Sequence, residues 1–292
     1  MKHASSPTRP PWLKVRAPAA ERVEKVAEVL RRYDLRTVCR DARCPNLGEC
    51  WGEGTATVLI LGETCTRGCA FCSVATGKPG PPDTYEPSRV ASAAAELGWK
   101  HIVITSVTRD DLDDGGASQF VRVVKELRKR APSSSVELLV PDFRGNWAAL
   151  REVAAARPDV LAHNVETVPR LYPEVRPGAV YTRSLELLGQ AHIYAPRITL
   201  KSGLMVGFGE SREEVVSVME DLFAAGCRSL TIGQYLPPSK HHLPAREYLT
   251  LEAFTALASA ARRIGFPQVA SGPLVRSSYK AGRFMVPAEG RP

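Results

Sequence analysis

Six of the seven cysteines in this chain fall between Cys39 and Cys72, in the order C-x4-C-x5-C and then C-x3-C-x2-C. They are Cys39, Cys44 and Cys50, followed by Cys65, Cys69 and Cys72. Two different spacings in so short a stretch describe two three-thiol sites, and any fold this chain adopts has to present both. An odd number of cysteines leaves one thiol over in any full pairing, and the N-terminus carries no apolar run of signal-peptide length. The expectation is a cytoplasmic, reducing setting in which thiols hold metal rather than form disulfides.

Thiolates are soft ligands that select zinc, copper(I) or iron–sulfur clusters. Zinc sites usually close a tetrahedron of four from paired knuckles. Neither triad supplies four thiols, and neither has a histidine nearby in sequence. A [4Fe–4S] cube held by three cysteines fits better, because its fourth iron is left for another ligand.

The remaining sequence implies the scaffold. Residues 1–20 are proline-rich and read as an extended arm. Glu21 to Tyr33 places Val23, Val26, Ala27, Val29 and Leu30 at helical spacing, leading into the first triad. Thr55 to Leu61 is β-branched and apolar, a buried strand, so the second triad sits on the loop at its C-terminal end. Further strands are expected at 101–106, 136–140, 160–163, 197–206 and 229–235, with helices around 88–97, 117–130, 146–156, 182–191, 211–225 and 250–264. Ser211 with Glu214 fits a capping box, Gly226 a helix stop and Thr250 an N-cap. Such alternation predicts a parallel sheet with right-handed crossovers, and six units are too few to close an eight-stranded barrel. The expected architecture is α/β: a partial, open (β/α)6 TIM-like barrel over 53–266, an N-terminal extension over 1–52 with the first triad, and a tail over 267–292.

Chemistry in such barrels lies at the C-terminal ends of the strands. Thr105 to Asp114, His163-Asn164-Val165-Glu166, Lys201-Ser202 and Gln234-Tyr235 all fall there. Arg109 and Asp110 read equally well as a solvated charge pair or as site residues. Cys227, between a helix stop and a strand, is expected to pack in the core. The formal charge of +8 is spread without a long basic run, and Arg128 to Arg130 sit where cations complement a helix dipole. Charge alone does not choose between an acidic protein partner and RNA. No stretch approaches the apolar length of a membrane helix.

Cys65-Thr-Arg-Gly-Cys69-Ala-Phe71-Cys72, with an aromatic before the last cysteine, resembles the signature of the radical S-adenosylmethionine superfamily. The first triad narrows this to a resemblance to the lipoyl synthase family, carried also by Trp12-Leu13-Lys14-Val15-Arg16, His163-Asn164-Val165-Glu166-Thr167, Lys201-Ser202-Gly203-Leu204-Met205, His241-His242-Leu243-Pro244 and Arg276-Ser277-Ser278-Tyr279. It runs from about residue 11 to 285.

The resemblance implies a radical sulfurtransferase. It would insert two sulfur atoms, at C6 and C8 of an octanoyl chain on a carrier-protein lysine, using 5′-deoxyadenosyl radicals made from S-adenosylmethionine. It implies two [4Fe–4S] clusters: one on Cys65, Cys69 and Cys72 whose open iron takes S-adenosylmethionine, and an auxiliary sulfur donor on Cys39, Cys44 and Cys50. Ser278 is the implied fourth ligand of the auxiliary cluster, Ser277 the second choice, and Arg276 is the implied catalytic residue near it. Phe71, Asn164, Glu166, Lys201 and Met205 are the implied S-adenosylmethionine contacts, and His241 and His242 are placed at the rim. The implied partners are octanoylated lipoyl domains of 2-oxoacid dehydrogenase E2 or glycine cleavage H protein, with ferredoxin or flavodoxin as reductant. Neither nucleic acid nor membrane is expected. A tRNA methylthiotransferase would need an RNA-binding module where only the stretch after about residue 266 is left, and an iron–sulfur sensor would leave the barrel without a purpose.

Overall fold

The computed structural model of the chain describes residues 7–14 and 20–284. Val15 and Arg16 of the WLKVR segment, and the tail beyond Phe284, lie outside the described residues.

Seven parallel strands form the sheet: β1 (Thr55–Ile60), β2 (His101–Ser106), β3 (Ser135–Leu139), β4 (Val160–Ala162), β5 (Thr199–Val206), β6 (Ser229–Gln234) and β7 (Gln268–Gly272). Each pairs in parallel with the next. A two-residue strand, Arg36–Thr37, adds antiparallel to the free side of β1, and no pairing joins it to β7 among the described residues. The partial, open barrel is therefore as expected, with one parallel strand more than the six foreseen. β7 lies in the stretch read as tail. Its sequence, QVASG, is half-buried throughout and has no apolar run to announce a strand.

Helices Glu86–Leu97, Ala117–Arg130, Trp147–Ala155, Tyr181–Tyr194, Arg212–Ala224 and Leu251–Ile264 follow β1 to β6 in turn. Ser211 and Glu214 make a reciprocal capping box, and Thr250 accepts from Ala253 N–H. Strand side chains alternate between two surroundings. Val58, Ile60, Ile102 and Ile104 are fully buried on the helix side with Val90, Phe120 and Leu127, whereas Thr57, Leu59, Thr105 and Thr231 line the barrel's interior cavity. Cys227 is buried in the core, as expected.

Two segments cover the open side. Helix Ala20–Arg32 seats Val26 and Leu30 in the core cluster that also holds Trp51 of the short helix Leu47–Gly52. After β7 the chain reverses. The Val275 carbonyl presses on Gly233 so closely that a Cβ there would collide with it, and Gly282 comes against His101 at the start of β2. The tail thus runs back along the gap from the C-terminal end of the sheet toward its N-terminal end.

Candidate active site

The second triad occupies a loop closed at its base by a two-rung parallel ladder, Thr64 opposite Ala75 and Cys65 opposite Thr76. The turn that delivers this loop from β1 is held at Leu61, which adopts φ 68°. Its N–H donates to the buried Glu86 carboxylate at 3.0 Å, and its carbonyl accepts from Arg109 Nη1 at 3.3 Å. Arg109 is 1% exposed and also binds Gly80 O and Asp111. It is a brace behind the loop, so it is neither the solvated partner of Asp110, which pairs with Arg67 instead, nor part of the cavity wall. The loop is then stitched to the segment after β2, with Thr66 N–H donating to Thr108 O at 3.0 Å.

Backbone N–H groups of Arg67 and Thr108 point at Cys65 Sγ, 3.4 and 3.3 Å away. The Arg67 side chain bridges Asp110 and Asp142, each at 2.7 Å. Burial alone would raise the Asp142 carboxyl, but the Arg67 hydrogen bond and charge win and hold it at about 2. Cys69 and Cys72 are both pushed up, chiefly by burial and partly by neighbouring thiols and Glu166, with Cys72 at about 11. Arg176 opposes this at Cys69 by charge and hydrogen bond.

The first triad hangs on less. Thr37 Oγ1 caps the single turn Val38–Asp41, Cys44 N–H donates to Cys39 O at 2.9 Å, and Cys50 lies on the helix Leu47–Gly52. Burial pushes the Cys50 thiol up to about 12, and Cys44 and Cys39 add to it while the Lys280 backbone N–H opposes it. At Cys44 burial again leads, with Asn46 N–H and the Arg276 charge pulling the other way. Tail residues on both sides of Ser278 therefore lie against this triad.

Both sets of thiols suit iron–sulfur cubes. Among the described residues no three His, Cys, Asp or Glu side chains converge as one bare ion would require, whereas a cube spreads its thiolates over separate irons. All six thiols are free, and none is fully buried. A bound iron core supplies the positive charge that deprotonates a coordinating thiol despite its burial.

A cavity of about 730 Å3 opens at the C-terminal end of the strands, lined both by Cys65, Cys69 and Cys72 and by Arg276, Ser277 and Ser278. Of the expected contacts, Phe71, Asn164, Glu166 and Met205 line it. Glu166 is held at φ 66° by hydrogen bonds on both sides, its N–H to Gly203 O at 3.0 Å and its carbonyl from Met205 N–H at 2.8 Å. Asn164 Nδ2 donates to Glu166 Oε1 at 3.0 Å, which leaves Asn164 Oδ1 buried without a partner. Gly203 is required beside it: a Cβ would stand 2.5 Å from Thr231 Oγ1 and 3.0 Å from Asn164 Oδ1. Cys39, Cys44 and Cys50 do not line the cavity; Val38, Ala42, Arg43 and Pro45 represent their segment there.

Lys201 is a correction. It is 2% exposed and absent from the cavity wall, and its amine is bound by Glu137 at 2.8 and 3.0 Å. His101 Nε2 lies 3.4 Å from the same carboxylate, so the three form a buried polar layer lower in the barrel. Burial raises the Glu137 carboxyl, and the charges and hydrogen bonds of Lys201 and His101 together more than reverse it. A lysine two residues below Gly203 on a strand cannot also reach the strand's end.

Sequence reasoning missed Arg176. It donates to the carbonyls of Asn164 and Val165 at 2.9 and 3.1 Å and lines the cavity, and its Nε is buried without a partner. No periodic signal marks it, because it ends a four-residue helix, Tyr172–Val175. His163, also in the wall, bonds Val140 O and Ser184 Oγ; burial first, then the Arg176 charge, lowers it to about 4 and keeps it neutral. His242 reaches Cys72 O at 3.1 Å, a rim position that ties its loop to the second triad. Arg9 and Leu13 bring the N-terminal arm to the cavity.

The Radical SAM superfamily matches residues 59–222 of the chain. Lipoyl synthase from Syntrophotalea carbinolica is 53% identical over 275 residues, covering 94% of this chain and 89% of that one. Two solved structures share the fold at low identity. Methylornithine synthase (PylB) has a TM-score of 0.55 at 14% identity, covering 87% of this chain and 71% of its own. The FeFe-hydrogenase maturase HydG from Carboxydothermus hydrogenoformans has a TM-score of 0.59 at 14% identity, covering 85% and 64%. With the second triad in the cavity wall, the first packed against the tail and a relative this similar over nearly its whole length, the chain belongs to the lipoyl synthase family of radical S-adenosylmethionine enzymes.

Proposed function

We propose that the two triads divide the family's reaction between them, and that the shared cavity is where the octanoyl chain is worked on. A lipoyl synthase inserts sulfur at C6 and C8 of a protein-bound octanoyl chain with S-adenosylmethionine and two [4Fe–4S] clusters, and that is the activity and cofactor set of this chain. The cofactors supply a 5′-deoxyadenosyl radical that abstracts hydrogen and a sulfide that replaces it. The chain's own residues hold, orient and enclose. Cys65, Cys69 and Cys72 are the ligands beside the radical source; Cys39, Cys44, Cys50 and Ser278 are those beside the sulfur source, with Ser277 the alternative oxygen.

Asn164 and Glu166 offer acceptors to the hydroxyl and ammonium groups of S-adenosylmethionine, and the unpartnered Nε of Arg176 is the cation available to its carboxylate. Gly203 leaves room for the nucleoside against the strand, with Phe71 and Met205 as the apolar contacts. Arg276, lowered by burial and partly restored by Cys44, is placed to steady the tail beside the auxiliary site. The threonines and leucines of the inner wall are a surface for an alkyl chain. The observation that carries this reading is that the second triad and the tail serines line the same cavity, because a carbon radical has to meet sulfide before it escapes.

The carrier substrate follows from the family; its identity as an E2 lipoyl domain or H protein, ferredoxin or flavodoxin as reductant, the cytoplasmic setting, and the division into extension, barrel and tail belong to this proposal. No helix among the described residues is long and apolar enough to cross a membrane. The decisive experiment incubates anaerobically reconstituted protein with an octanoylated lipoyl domain, S-adenosylmethionine and reductant, and weighs the carrier. A mass gain of two sulfurs is expected for the reduced dithiol, and of two sulfurs less two hydrogens once it closes to the dithiolane. No gain while 5′-deoxyadenosine accumulates would sink the substrate assignment.

A further inference from the structure

Asn46 stands between Cys44 and Cys50 and is the N-cap of the helix Leu47–Gly52. Asparagine is favoured at that position because its side-chain oxygen accepts a hydrogen bond from the first turn. Here it makes no such bond. Its Nδ2 instead donates to the carbonyl of Leu274 at 2.5 Å, across 228 residues of sequence, and the residue is 4% exposed. Three residues on, Glu49 takes Lys280 Nζ at 2.6 Å and Tyr279 Oη at 3.1 Å. The segment between the two cysteines therefore grips the tail at both ends of the stretch that contains Arg276, Ser277 and Ser278.

We propose that Asn46 is a positioning residue for the oxygen ligand of the auxiliary cluster, its amide diverted from capping its own helix to docking the serine-bearing tail over the first triad. The Glu49 contacts are the weaker half of the grip, because exposed ion pairs are screened and contribute little. Losing the amide is the larger loss, because it removes a part-buried hydrogen bond made by a buried side chain. The consequence is a tail that stays docked whether or not its serine is bonded to iron. The inference rests on the reading that a tail serine completes the auxiliary site.

Asn46→Asp tests it. Aspartate has the same size and is an equally good N-cap, so the helix is not weakened, but it has no amide to donate and turns a carboxylate toward the Leu274 carbonyl. In the full-length, anaerobically reconstituted protein, amide hydrogen exchange over residues 274–281 is expected to speed up by about tenfold or more, roughly one hydrogen bond's worth. Exchange in β2 and β3 should not change. Iron release to a strong chelator should split, with the auxiliary half of the iron leaving several-fold faster. Asn46→Ala should show the same pattern without the added charge. Unchanged tail exchange in both variants overturns the proposal, as does faster exchange that extends through helix Ala20–Arg32, which would mean general loosening of the extension. Ser278→Ala separates the two claims: if its iron release and Mössbauer spectrum equal the parent's, the serine-ligand reading fails, whereas tail docking is judged by exchange alone.

Discussion

The two triads are unequal in how the protein holds them. Cys65, Cys69 and Cys72 ride on a loop that leaves a core strand, is closed by its own ladder, and is braced by Glu86, Arg109, Arg67 and Arg176. Cys39 and Cys50 lie on one helical turn and one short helix, with Cys44 in the connection between them, and a tail from the far end of the chain packs against them. A site that must cycle unchanged calls for the first kind of support. One that is taken apart and rebuilt calls for the second, in which ligands can separate without disturbing the core.

The largest expected break in this contrast is Cys65→Ala, which should abolish 5′-deoxyadenosine formation and with it all sulfur insertion, read by chromatography of the nucleoside. Cys44→Ala should halve reconstituted iron and end sulfur insertion while S-adenosylmethionine cleavage continues; equal loss of both would show that the triads do not divide the work. Gly203→Ala places a methyl against Thr231 and Asn164, an overpacking that costs about 1–3 kcal/mol. It should weaken S-adenosylmethionine binding by about tenfold or more in equilibrium dialysis, with iron content unchanged.

The effect furthest from turnover concerns pH. His163 is neutral in the fold, with its pKa lowered from 6.5 to about 4. The unfolded chain therefore binds the extra proton between those values, and stability is lost as pH falls from 6.5 toward 4, by on the order of 3 kcal/mol at most. His163→Gln should flatten the fall in thermal midpoint between pH 7 and 5. An unaltered slope would assign that fall to other groups.

The sequence exposed the cysteine spacings, six strands and the helices after them, because each rests on local chemistry: thiol softness, β-branching, caps at Ser211 and Thr250. What it hid was set by distant partners. β7 is a strand only because β6 and the helix Leu251–Ile264 receive it, and Arg176 matters only because the segment after β4 and the loop after β1 bring Asn164 and Cys69 to it. Lys201 misled for the opposite reason: a charged residue near a strand's end looks catalytic until a carboxylate on another strand is seen to own it.

The tail has one more consequence, in the order of assembly. The second triad is complete within a stretch of eight residues, and its scaffold forms by successive local crossovers. The auxiliary site closes only when residue 274 finds residue 46, a contact spanning 228 positions whose loop entropy is met last. A chain still on the ribosome, with β1 to β6 already folded, could hold one cluster and not the other. On the proposed division of labour, the sulfur donor's site is thus the final part of the enzyme to close.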